Sequence, residues 1–121
     1  MISSKIHAAL DYIVGILLIA APWLLGFADK TAATLIPVIL GASTIIYSLF
    51  TNYEYSLIRL VPYKIHLTID FIAGLLLLAS PWLFGFSDRI YLSHVILGAF
   101  EITAVLLSRK EADNIRRTRQ V

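Results

Sequence analysis

The chain has no cysteine. That excludes disulfides, thiolate metal sites, thioredoxin-like redox chemistry and covalent c-type haem attachment. Charge is scarce too: Asp, Glu, Lys and Arg make up 15% of the 121 residues, against about 25% in soluble domains. Apolar residues reach 59%, where about 45–50% is usual. A soluble domain this small has too much surface to hide such a composition. Also missing are a phosphate-binding loop, a zinc-hydrolase motif and a nucleophile–base pair at a defensible spacing. An enzyme is therefore not expected.

What the chain does have is long apolar blocks. No charged side chain occurs from Tyr12 to Ala28, from Thr31 to Tyr53 or from Phe71 to Ser87. A fourth block, Ile90 to Ser108, is broken only by His94 and Glu101. Each approaches the ~20 residues needed to cross about 30 Å of hydrocarbon. Four transmembrane helices are expected, at about 6–25, 33–51, 64–84 and 90–108. The first block, preceded by Lys5, superficially resembles a signal peptide. Its length, and a near-copy in mid-chain, predict that it stays in the mature protein.

That copy sets the architecture. His7 to Phe27, HAALDYIVGILLIAAPWLLGF, returns as His66 to Phe86, HLTIDFIAGLLLLASPWLFGF. The segment after it repeats more loosely, Val38-Ile39-Leu40-Gly41-Ala42 against Val95-Ile96-Leu97-Gly98-Ala99. An internal repeat fixes the architecture before any other feature. The chain divides into repeat one (1–56), repeat two (57–108) and a basic tail (109–121). Short connections within each repeat predict a transmembrane hairpin. The fold class is all-α: a four-helix integral membrane protein of two parallel tandem hairpins, related by a pseudo-two-fold axis along the membrane normal.

Basic residues set the orientation. Lys5, Arg59, Lys64, Arg109, Lys110, Arg116, Arg117 and Arg119 fall on the side of the termini and middle linker. The hairpin loops hold only Lys30 and Arg89. Both termini are expected in the cytoplasm, with the protein in the cytoplasmic (inner) membrane. The tail is expected to extend the fourth helix, lie on anionic lipid or meet a cytoplasmic partner. Topology alone asks for such charge, so no nucleic-acid partner is expected.

Pro22 and Pro81 fall near the outer ends of the first and third helices, where they favour termination. Gly26 and Gly85 can supply the left-handed residue that closes a helix. Trp23 and Trp82 then sit at headgroup depth as interfacial anchors. This doubled H-x3-D-[YF]-x2-G…[AS]-P-W-L-x-G-F pattern resembles the SPW repeat family of small prokaryotic membrane proteins. Ser80-Pro81-Trp82 matches the family's motif in full, and Ala21-Pro22-Trp23 departs at its first residue. The resemblance implies two transmembrane helices per repeat in a prokaryotic integral membrane protein. It implies no activity, substrate or cofactor.

The polar residues are the candidates for function. His7 and Asp11, like His66 and Asp70, are spaced to share one helix face, and Gly15 and Gly74 continue that stripe. Polar groups beside a small residue make up many transmembrane contacts. The first and third helices are therefore expected to pack through these stripes across the pseudo-two-fold axis. Glu101 comes out about 10 Å from the cytoplasmic end, level with Asp11 at about 8 Å and Asp70 at about 9 Å. His7, Asp11, His66, Asp70 and Glu101 are expected in one layer, with Thr44 replacing Glu101 in repeat one and His94 outside it. Intramembrane charge costs at least about 2.5–3.5 kcal/mol unless compensated. The leading expectation is a structural or partner-binding protein, held by this network and needing no cofactor. The alternative is an ion, proton or divalent-metal site, used for binding or transport by a homo-oligomer.

Overall fold

The computed structural model describes residues 2–108; the expectations for the tail lie outside them. It has four helices: α1 (Ser4–Leu24), α2 (Ala32–Leu49), α3 (Tyr63–Leu83) and α4 (Leu92–Leu107). Among the described residues there are two isolated bridges and no named strand. The expected all-α, two-hairpin architecture is present. α1, α2 and α3, at 21, 18 and 21 residues, are long and apolar enough to cross a membrane. α4 is shorter than expected. At 16 residues it is about 24 Å long. Arg89 and Ile90 are spent in a turn, their N–H groups donating to the Phe86 carbonyl.

Ser3 caps α1 by accepting from the Ile6 N–H, and Thr31 caps α2 by accepting from the Ala33 N–H. Each satisfies one of the donors that a helix start leaves open. The C-terminal ends of α1 and α3 close alike. Gly26 and Gly85 both have φ +74°. The Phe27 N–H then reaches back to the Pro22 carbonyl, and the Phe86 N–H to the Pro81 carbonyl, each at 2.8 Å. This is the Schellman closure. It turns Phe27 and Phe86 into a buried cluster with Ala21 and Ala33. Trp23 and Trp82 remain more than half exposed at the helix ends.

Three helical prolines leave carbonyls without their usual donors. Ser80 donates its hydroxyl to the Leu77 carbonyl at 2.7 Å, the group that Pro81 strands. Ala21 has no hydroxyl to offer at the equivalent place. Pro37 strands the Ala33 carbonyl, and His94 Nε2 serves it at 2.9 Å across the two repeats. His94 is buried between the Phe27 and Phe86 rings.

Packing is closest inside each hairpin. A Cβ on Gly41 would lie 2.6 Å from the Gly15 carbonyl oxygen, and one on Gly98 would lie 2.8 Å from that of Gly74. The glycine stripes therefore pack within the hairpins, α1 on α2 and α3 on α4. This corrects the expectation that Gly15 and Gly74 face each other across the axis. The correct partners sit in the repeated Val-Ile-Leu-Gly-Ala segment, whose small residue lets two backbones approach.

The hairpins are joined mainly at the end that carries Lys5, Arg59 and Lys64. Thr51, at the end of hairpin one, bridges to Val61 before α3, and Ser108, after α4, bridges to Ile2 before α1. The end of each hairpin thus meets the beginning of the other. At the opposite end Arg89 pairs with Asp29 and donates to Thr31. Ile13, Ile16, Ile39, Ile72, Leu75 and Ile96 face outward as a belt suited to lipid.

Candidate functional site

The first two turns of α1 and α3 place His7 above Asp11 and His66 above Asp70. Because the helices enter side by side, the pairs meet and cross. His7 Nε2 lies 2.8 Å from Asp70 Oδ2 and 3.2 Å from Asp11 Oδ1. His66 Nε2 lies 2.8 Å from Asp11 Oδ2 and 3.0 Å from Asp70 Oδ2. Each imidazole is thus closer to the carboxylate of the other repeat than to its own. All four side chains are 98% or more buried.

A ring of hydroxyls holds this box. His7 Nδ1 meets Ser108 Oγ at 2.7 Å, and His66 Nδ1 meets Thr51 Oγ1 at 2.6 Å. Ser108 donates its own hydrogen to the Ala104 carbonyl, and Thr51 donates to the Tyr47 carbonyl. Each hydroxyl has one hydrogen to give. It must therefore accept from the imidazole, which fixes the proton on Nδ1 of both rings. Each Nε2 is left pointing between two carboxylates. A bare lone pair there would face only negative oxygen, so Nε2 requires a positive occupant.

The carboxylates are held from outside as well. Tyr53 donates to Asp11 Oδ2 at 3.0 Å, and Tyr47 donates to Asp70 Oδ1. Tyr53 lies in the linker, where burial and then the neighbouring Asp11 charge push its hydroxyl above the ordinary value. It therefore stays protonated and remains a donor. Nearby, Ser4 donates to both carboxylate oxygens of Glu54, at 2.7 and 2.8 Å.

A Ser108–His7–Asp70 string looks at first like a hydrolase triad. Its wiring is wrong for that. In a triad the hydroxyl hydrogen-bonds Nε2 and the carboxylate holds Nδ1–H. Here the connections are reversed, and the hydroxyl is fully buried. It serves to orient the ring.

Of the five residues expected in the layer, four form the box. Glu101 is buried in α4 and lies against α3 beside Gly74. Asp70 and Asp11 lie within its electrostatic reach. No hydrogen bond joins it to another described residue. Its counterpart Thr44 does have partners, the Leu40 carbonyl and Tyr47. Pro22, Trp23, Gly26 and their counterparts Pro81, Trp82 and Gly85 lie at the far end and take no part in the box. Tyr47, Tyr53, Thr51 and Ser108 were missed. Thr51 and Ser108 follow the two hairpins at matching places, a signal that the doubled sequence did contain.

The profile of the SPW repeat domain matches residues 5–108. The chain belongs to the SPW repeat family. The match runs from the first turn of α1 to the hydroxyl that orients His7, so the SPW repeat includes the whole box. The family's Ser-Pro-Trp signature has a physical meaning here. In Ser80-Pro81-Trp82 the serine serves the carbonyl that the proline strands, and the proline's own carbonyl accepts from Phe86. The tryptophan faces outward. No curated protein and no solved structure matches this SPW repeat chain.

Proposed function

We propose that this SPW repeat protein is a non-enzymatic protein of the cytoplasmic membrane, with both termini in the cytoplasm. Its His–Asp box is the joint that sets one hairpin against the other. Its cytoplasmic face, carrying the linker and the basic tail, is offered to a partner protein or to anionic lipid. The observation that carries this is the crossed pairing, in which each histidine lies nearest the aspartate of the other repeat. Apolar clusters also span the two hairpins, and among these contacts the box places four buried polar groups. With a proton on each Nε2 and both carboxylates ionised, the charges in the box sum to zero. That lowers the cost of burying them.

Lys5, Arg59 and Lys64 lie at the box end, and Lys30 and Arg89 at the other. This distribution supports a cytoplasmic box under the positive-inside bias. Reporter fusions at each terminus and in the 26–31 loop test it. Activity of a cytoplasmic reporter in that loop would refute the orientation. The joint is tested by unfolding the His7→Ala/His66→Ala protein in detergent with chelator present. The double variant should unfold far more easily than wild type. Equal stability would dismiss the joint.

A further inference from the structure

We propose that the box is also a binding site for one divalent first-row transition ion. Its ligands would be His7 Nε2, His66 Nε2 and one oxygen each of Asp11 and Asp70. The positive occupant between the two Nε2 atoms can be a pair of protons or one dication, and either balances two carboxylates.

Geometry comes first. One ligand atom from each of the four side chains fits within 4.8 Å of every other. A tetrahedral ion with bonds of about 2.0–2.1 Å holds its ligand atoms about 3.3–3.4 Å apart. The N···O separations in the box run from 2.8 to 3.2 Å. Admitting such an ion asks the hydrogen-bonded N···O pairs to open by a few tenths of an ångström and the farther ligand atoms, up to 4.8 Å apart, to draw together as the rings turn about their Nδ1 anchors.

The donors select the class of ion. Two imidazoles with carboxylates suit zinc, manganese or ferrous iron. Magnesium prefers oxygen alone and keeps its waters, which a site this dry cannot supply. Without a thiolate or thioether, nothing favours cuprous copper.

The outer contacts match what metal-binding histidines require. A ligating imidazole normally donates its second N–H to an oxygen that fixes its tautomer, and ligating carboxylates are themselves hydrogen-bonded. Ser108 and Thr51 do the first, and Tyr47 and Tyr53 do the second.

Glu101 is buried in α4 beside Gly74 and stands outside the four side chains whose ligand atoms converge. Where Tyr47 closes the box from α2, its counterpart in α4 is Ala104, which has no hydroxyl to give.

The test is titration of the purified full-length protein in detergent, after chelator and desalting, with Zn²⁺, Mn²⁺ and Mg²⁺. Co²⁺ is added as a spectroscopic probe of nitrogen and oxygen coordination. Wild type should bind one transition ion per chain, melt higher in its presence and give a visible Co²⁺ spectrum. Mg²⁺ should do none of this. Tyr53→Phe, which removes the hydrogen bond to the Asp11 ligand, should lose affinity by about tenfold, the low end of the effect of disturbing a supporting contact. His7→Ala/His66→Ala should not bind. Where that variant fails to fold, Asp11→Asn takes its place, since the amide keeps the shape. Absence of saturable binding to folded wild type overturns the site, as does unchanged affinity in Asp11→Asn. The joint is judged in chelator and the ion in its presence, so either can fail alone.

Discussion

At the scale of single residues, the box makes unequal demands on its members. Removing one imidazole leaves two buried carboxylates sharing the remaining positive group. His7→Ala and His66→Ala should each lower stability by about 3–5 kcal/mol, measured by reversible unfolding in mixed micelles. Ser108→Ala and Thr51→Ala remove only the acceptor for a ring N–H and should cost about 1–3 kcal/mol each. His7, Asp11, His66 and Asp70 were legible in the sequence because duplication wrote the same spacing twice into apolar surroundings. Their crossing was not. Which aspartate a histidine meets depends on how two helices enter side by side, and spacing along one helix says nothing about that. The tyrosines were hidden for another reason. Interfacial tyrosine is so common in membrane proteins that Tyr53 carried no distinguishing mark. Yet its hydroxyl is spent on Asp11 in the interior.

At the scale of elements, the two hairpins are stiff units. Gly41→Ala would push a methyl group to 2.6 Å from the Gly15 carbonyl oxygen and 2.9 Å from Leu18 Cβ. Backbone cannot yield as a side chain can, so the α1–α2 hairpin should lose about 1–3 kcal/mol. Gly15→Ala meets chiefly the Ile45 side chain and should be milder. Paired cysteine cross-linking at positions flanking these glycines should join α1 to α2 and α3 to α4. The sequence suggested the glycine face and misassigned its partner, because a small residue marks where backbones approach but not which ones.

The outer loops add a dependence on pH. Asp29 accepts from the Thr31 side chain and backbone and pairs with Arg89. Those Thr31 hydrogen bonds, then the Arg89 charge, hold it below the ordinary carboxylate value. It therefore binds a proton less readily when folded than when unfolded. The stability it contributes is present above the ordinary value and is lost as pH falls through the lowered one. Wild type should melt above Asp29→Asn at neutral pH, and the gap should close in acid. A gap that widens on acidification would contradict this.

At the scale of the whole molecule, apolar length predicted four helices, and their number and order were right. The shortness of α4 was not foreseen, since the loop after Phe86 consumes residues whose hydropathy resembles that of the helix. More consequential is the crossed bridging of Thr51 to Val61 and of Ser108 to Ile2. Each half of the chain finishes the other, so a half alone keeps its own His–Asp pair and loses the shorter contact to the other repeat. Residues 1–56 and 57–108, produced as separate chains, should co-purify when made together. Two copies of one ancestral hairpin, facing each other, would build the same box from a single short gene. Within one chain the two hairpins need not be alike, and Glu101 opposite Thr44 and Ala104 opposite Tyr47 are where they differ around the box.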